Sequence, residues 1–217
     1  MEEKMQLLTD LHLAIIDGQR DQVVDLVKRL LEQHADPEII LRNSMIPAMD
    51  IVGKRFEEEL FFVPEMLIAA RAMQAGLDIL QPSLAASNIE PIGNVVIGTV
   101  QGDIHDIGKN LVAMMLGGAG FRVVDLGVNV PAQKFVDAVQ NENGVQIVSL
   151  SALLTTTMVN MSAVLEALDK AGLRPDIKVM VGGAPITEAY AQKIGADGYA
   201  PDASQAVGLA KRLLGIV

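Results

Sequence analysis

At Gly93 the hydrophobic period of the chain changes, and no single layer of secondary structure can satisfy both halves. Before it, apolar residues recur at spacings of three and four. Leu7, Leu8, Leu11 and Ile15 form one stripe, and Val23, Val24, Val27, Leu30 and Leu31 form a second. Asp36 followed by Pro37 reads as a helix cap with proline at the first helical position. That third helix carries Ile39, Ile40, Ile46, Met49 and Val52 towards "FEEEL". Pro64 opens a fourth, bearing Leu67, Ala70, Met73, Leu77 and Leu80. Four helices with short connections predict an antiparallel bundle over residues 1–88. The stretch "AASNIEPIGN" loses the period and reads as a linker. From there the β-branched runs "NVVIGTV", "FRVVDLG", "VQIVSLS", "IKVMVGG" and "DGYAP" alternate with helices beginning near Gly108, Pro131, Thr156, Thr187 and Ala203. Five βα units predict an α/β fold over residues 92–217, a Rossmann-like (flavodoxin-like) five-stranded parallel sheet covered on both faces.

Composition removes several chemistries. With no cysteine there is no disulfide framework, thiolate zinc site, iron–sulfur cluster or cysteine nucleophile. A net charge of −10 argues against nucleic acid as a partner, because affinity for phosphate backbones rests on clustered Lys and Arg. The lack of cysteine fits a reducing interior, so a cytoplasmic location is expected, and because the apolar runs fall short of the roughly 20 residues that span a bilayer, no membrane association is expected.

In parallel α/β sheets ligands bind outside the carboxyl ends of the strands. The unusual residues fall there: "GDIHDIG", "DLGVNV", "SLSALLT" and "GGAP". One of only three histidines, His105, lies between Asp103 and Asp106 in a glycine-bounded loop. A dinucleotide fingerprint needs a further glycine. A phosphate loop needs closer spacing than Gly102 to Gly108, a hydroxyl where Asn110 stands, and no repelling carboxylates. A phospho-receiver needs an acid after the third strand, where "SLSALLT" has none. A zinc hydrolase needs about three ligands, yet His12 and His34 lie in the helical half. A loop histidine, acids capping the next helix, a polar strand end and a glycine turn are each ordinary alone; together on one rim they are not. What remains is one imidazole beside a carboxylate that fixes its tautomer. One protein ligand suffices for a metal that arrives inside a macrocycle.

Asp103-x-His105-x-x-Gly108, then Ser151-x-Leu153, then Gly182-Gly183 resembles the cobalamin-binding signature of methionine synthase, the B12-dependent mutases and the corrinoid methyl carriers. "GKNLVAMML" and "VVDLGVNVP" are similar to the methyl-transfer branch. "IVGKRFEEELFFVPEMLIAARAM" is similar to the helical cap that precedes the cofactor domain in methionine synthase. By position, the resemblance makes His105 the lower cobalt ligand and Asp103 its proton-linked partner. Thr157 supplies the hydroxyl beyond that Asp, where the family has Ser. It places Gly102, Ile104, Asp106 and Gly108 in the ligand loop against the cofactor, and Ser151, Leu153 and Thr155 in the slot for the nucleotide tail, beside Gly182, Gly183 and Ala203. Phe62, in the apolar "LFF" segment of the cap, meets the upper corrin face. The implied cofactor is cobalamin or a related corrinoid, passing between methylcob(III)alamin and cob(I)alamin. The implied protein is a methyl carrier, not catalytic alone. Its partners would be a substrate-specific methyltransferase (methanol, methylamine, betaine or methoxyaromatic), a second methyltransferase acting on folate or a thiol, and a corrinoid-reducing activase. Two alternatives share the cofactor: a B12-dependent light or redox regulator, and the small subunit of a mutase.

Overall fold

The computed structural model describes residues 2–87 and 89–216. They divide into two compact units, one taking in the chain up to Pro91 with Gly117–Gly120, the other Ile92–Leu116 with the chain from Phe121 onward.

In the first unit, α1 (Glu2–Ile16) buries Leu7, Leu11, Ala14 and Ile15, and α2 (Arg20–Glu32) buries Val23, Leu26, Val27 and Leu30. These are the positions that share one face of a helix. The next rod starts as α3 (Pro37–Ile40), where the Asp36 carboxylate accepts the Glu38 N–H at 2.9 Å. The sequence predicts a third helix onward from here, and the structure has it as one continuous rod with a feature the sequence reading did not include. The rod widens into a π-helical turn, Leu41–Met45, and resumes as α4 (Ile46–Glu57). Pro47 supplies the reason, since it has no N–H for the Asn43 carbonyl and its ring would collide with that group. The Ile46 N–H instead reaches back five residues to Leu41. The widened turn is tied to α1: the Ser44 hydroxyl donates to the Leu8 carbonyl at 2.8 Å, and His12 Nδ1 donates to the Ser44 carbonyl at 3.1 Å. The last rod, α5 (Val63–Ala86), opens with Pro64 in its first turn, while the Glu65 carboxylate accepts the Phe62 N–H at 3.0 Å. No helix among the described residues is long and apolar enough to cross a membrane.

The second unit is built on a five-stranded sheet of β1 (Asn94–Thr99), β2 (Arg122–Asp125), β3 (Ile147–Ser151), β4 (Lys178–Gly182) and β5 (Gly198–Tyr199). Its order is β2-β1-β3-β4-β5 and every pairing is parallel. The intervening helices are α6 (Ile107–Gly118), α7 (Ala132–Asn141), α8 (Asn160–Lys170), α9 (Glu188–Ile194) and α10 (Ala203–Leu213). Four of the five starts fall within a residue of those expected. α8 begins later than Thr156, because the residues before it form turns that bond elsewhere. Thr187 and Asp202 cap α9 and α10, accepting the N–H groups of Tyr190 and Gln205. β1 and β3 are buried over nearly their whole length, as strands covered on both faces must be. The chain leaves β1 towards β2 and returns across it to β3, so the connections reverse direction between β1 and β3, where a crevice opens at the carboxyl ends. There Thr99, Ser151 and Gly182 are lateral neighbours in one row.

On one face of the sheet Phe135 is fully buried, its ring set over Gly98, where a Cβ would stand 2.8 Å from the ring. Phe135→Ala leaves a cavity against β1 and should cost about 3–5 kcal/mol, with Phe135→Leu costing clearly less. Urea unfolding of both variants measures this, and an unchanged midpoint for the alanine form would show that the ring does not anchor α7.

Candidate cofactor-ligating site

The loop after β1 turns sharply at Gly102, whose φ of +83° suits a residue without Cβ. The turn drops the Asp103 side chain into the crevice, where it is fully buried. A charge so placed needs compensation, and five donors converge on it. Oδ1 accepts the His105 N–H at 3.1 Å and His105 Nδ1–H at 2.7 Å. Oδ2 accepts the Thr157 hydroxyl at 2.6 Å and the N–H groups of Leu153 and Leu154 at 2.8 and 3.3 Å. Burial alone would raise the Asp103 pKa. The Thr157 hydroxyl, the Leu153 N–H and the two His105 donors outweigh it and hold the carboxyl well below the usual range. Asp103 is therefore an anion, and an anion can only accept.

That settles the tautomer of His105. With Nδ1–H given to Asp103, the neutral ring carries its lone pair on Nε2. The side chain is 46% exposed, so a basic nitrogen on a braced ring is presented outward from the sheet edge. Thr99, fully buried, adds a further restraint through its hydroxyl, which donates to the His105 carbonyl at 2.9 Å. The two loops also expose apolar side chains: Ile104 and Ile107 are 74% and 75% exposed, and Leu153, Leu154 and Val159 are exposed as well. Among the described residues no group of three or more His, Asp or Glu side chains could hold a metal ion. A metal on His105 would bring its remaining ligands with it.

Of the residues singled out in the sequence, Asp103, His105, Thr157 and the Leu153 backbone are joined by direct hydrogen bonds. Gly102, Ile104 and Asp106 lie exposed along the same loop, Gly108 is exposed in the first turn of α6, and Thr155 is exposed on the loop after β3. Ser151 and Gly182 pair in the rim row, and Ala203 starts α10, buried. Phe62 belongs to the first unit and is 64% exposed. The glycines differ in what demands them. Gly183 has φ +125° and a Cβ there would stand 1.9 Å from the Ala152 carbonyl oxygen, so the protein's own backbone requires it. Gly182 would approach the Ala200 carbonyl at 3.0 Å. Around a Cβ at Gly108 there is nothing within 4 Å.

Sequence reasoning missed three contributors. Thr99 is one. Asn129 is a second, its Oδ1 accepting the Gly102 N–H at 2.7 Å and its N–H donating to the Asp103 carbonyl at 2.8 Å. The third is Lys109, 3% exposed, whose ammonium donates to Asp125 and, at 2.7 Å, to Asn110. An aspartate close to a basic residue leaves no signal when the partners are sixteen positions apart in sequence.

Comparison with known proteins bears on what this ring serves. Residues 93–208 match the family model described as B12 binding domain, and residues 7–81 match a second model of the same description. Over 215 residues the chain is 43% identical to dimethylamine corrinoid protein 1 of Methanosarcina mazei, covering 99% of both. It is 41% identical over 216 residues to trimethylamine corrinoid protein 1 of the same organism, covering 99% of this chain and 100% of that one. Among solved structures, the methanol:cobalamin methyltransferase complex of Methanosarcina barkeri superposes with a TM-score of 0.85 at 29% identity, covering 98% of this chain and 81% of the other. With two matching B12-binding segments and relatives aligned end to end, the chain belongs to the B12-binding corrinoid proteins of methyltransferase systems.

Proposed function

We propose that this chain carries a methyl group on a corrinoid whose lower ligand is His105, taking it from a substrate-specific methyltransferase and delivering it to a second methyltransferase acting on folate or a thiol. The observation that carries the reading is the half-exposed His105 ring held through Nδ1 by a buried, five-donor carboxylate. The residues present fit the cofactor. Nε2 is the basic nitrogen, the exposed Ile104, Ile107, Leu153 and Leu154 offer a broad apolar face to a macrocycle, and Gly108 leaves room beside the loop that no other part of the chain claims. In the same reading Ser151, Leu153, Thr155, Gly182, Gly183 and Ala203 receive the nucleotide tail.

Bound there, the corrinoid supplies a cobalt centre that accepts and releases a methyl group. The chain's own part is ligation, orientation and proton placement. Asp103 accepts the Nδ1 proton and so strengthens donation from Nε2, and the Thr157 hydroxyl helps keep the carboxylate ionised. With no metal on Nε2, that nitrogen would be the atom of the ring open to a proton, since Nδ1–H is already given to Asp103. Residues 1–88 serve as a cap that limits water near the reactive face. In this segment the Phe61 ring is engaged by the Arg55 guanidinium, 5.1 Å from its centroid, and Met66 is fully buried. Phe62 is 64% exposed, and in the same reading it is the cap residue that meets the cofactor. The methylamine names of the relatives and the methanol complex support a donor of the methylamine or methanol class. A corrinoid-reducing activase and a cytoplasmic setting complete the reading.

Three measurements test it. The reduced, corrinoid-loaded chain, mixed with a candidate methyltransferase and its methyl donor, should change to the methylated absorption spectrum only when both are present; stable loading with adenosylcobalamin and no donor-dependent change would favour the mutase reading instead. In the cobalt(II) state, His105→Gly should abolish the nitrogen superhyperfine splitting from the lower ligand, whereas splitting equal to that of the unaltered chain would remove His105 from the metal. Asp103→Asn should weaken cofactor affinity by about 10- to 100-fold.

Acidity gives a further check. The folded Asp103 pKa lies below its value of 3.8 in the unfolded chain, so its contribution to stability is complete above the unfolded value and is lost as pH falls through the folded one. The stability difference between the unaltered chain and Asp103→Asn should therefore shrink on going from about pH 5 to about pH 3. Urea midpoints of the two cofactor-free proteins report it; a difference that stayed constant would mean that Asp103 titrates alike folded and unfolded.

A further inference from the structure

Asn129 sits at φ +54°, a left-handed backbone that asparagine tolerates better than other residues with a Cβ. Both of its bonds fall on the peptide units that carry the His105 loop out of β1: Oδ1 takes the Gly102 N–H at 2.7 Å, and its own N–H goes to the Asp103 carbonyl at 2.8 Å. The backbone of this segment does not need that side chain to be held against β1. Thr99 already receives the Val130 N–H at 2.9 Å and gives its own N–H to the Gly127 carbonyl at 3.0 Å. The amide of Asn129 reaches past these bonds to the ligand loop. The same segment begins at Asp125, which takes the buried Lys109 ammonium on one oxygen and the Gly127 N–H at 2.8 Å on the other. Gly102 and Asp103 are thus gripped in front of His105 and Lys109 behind it, from one stretch of chain.

We infer that Asn129 is a positioning residue for the cofactor's lower ligand. Its side chain, projected from a backbone in the left-handed region, braces the Gly102–Asp103 turn so that the His105 ring is presented already oriented. Asp103 and Thr157 hold the loop from the β3 side, and Asn129 holds it from the β2 side. Asn160 Nδ2 also donates to the Gln101 carbonyl at 2.7 Å and the Asp103 N–H to the Val100 carbonyl at 3.1 Å, so losing the Asn129 amide loosens the Gly102 peptide without releasing the turn, and the ring then has to be ordered further when the cofactor binds, at the expense of ligation. The inference rests on the reading that His105 ligates the corrinoid.

Asn129→Gly tests it cleanly, because glycine accepts the same backbone angles and keeps the N–H to Asp103 while deleting only the side-chain acceptor. Asn129→Asp puts an acceptor back in the same place. Two readouts are needed: amide hydrogen exchange of residues 101–106 in the cofactor-free full chain, and the nitrogen splitting of the chain loaded with cob(II)alamin. For the glycine variant, exchange at Gly102 should quicken about fivefold, the factor equivalent to one hydrogen bond of roughly 1 kcal/mol. The ratio of His-ligated to unligated cobalt should fall by a similar factor, and the thermal midpoint should stay near that of the unaltered chain. Asn129→Asp should restore both readouts. Exchange and splitting in Asn129→Gly equal to those of the unaltered chain would overturn the inference, as would an aspartate variant as defective as the glycine one. If the unaltered chain itself shows no nitrogen splitting, ligation by His105 is what fails. Exchange in the cofactor-free chain then decides the role of Asn129 alone: quickened exchange reversed by Asn129→Asp upholds the grip on the turn, and unchanged exchange removes it.

Discussion

The site depends on one buried anion. A carboxylate without solvent is expensive unless its lone pairs are filled, and Asp103 fills them from two loops that meet only because β1 and β3 are neighbours in the sheet. The requirement runs in both directions. The Leu153 and Leu154 N–H groups would otherwise lack acceptors at a strand end, and the Thr157 hydroxyl draws its residue into a turn instead of the first turn of α8. The same anion sets which nitrogen of His105 is basic. Fold closure at the crevice and the chemistry of the ring are therefore one set of hydrogen bonds, and neither can be altered without the other.

Much of this could be read from the sequence, for identifiable reasons. The two periods on either side of Gly93 are properties of local spacing, and the structure realises them as rods and as a parallel sheet. The strand-end position of the Asp103–His105 pair also follows from spacing, since the two are only two residues apart. What could not be read depends on contacts distant in sequence. Lys109 stands next to Gly108 like an imperfect phosphate-loop lysine, yet its ammonium is directed to Asp125, a pairing created by β1 and β2 lying side by side. Asn129 gives a faint local signal, an asparagine in "GVNV" where a left-handed residue is easily accommodated, but nothing nearby shows that its amide meets Gly102. The π-helical turn had a signal in Pro47, read past because the apolar stripe continues through it.

The glycines separate two kinds of constraint. Gly183 is demanded from within, by its φ and by the carbonyl of Ala152 pressing against the place a Cβ would take. Gly108 opens α6 with free space on the side where a Cβ would stand, so the folded chain alone would accept alanine there and gain from it. In the proposed reading that free space faces what the loop holds, whereas the constraint on Gly183 is internal.

The apolar rim has a consequence for the protein before it is loaded. Ile104, Ile107, Leu153, Leu154 and Val159 are exposed, and in the proposed reading, where the macrocycle lies over this rim, they would form an adhesive surface in its absence. Two empty copies meeting by this face would bury it in each other. The net charge of −10 opposes that encounter through long-range repulsion, which a small ligand does not feel to the same degree. Colloidal stability of the empty form thus rests on the acidic composition, and it weakens as salt shortens the reach of that repulsion. Cofactor supply and ionic strength become linked variables for how much of the chain stays dispersed.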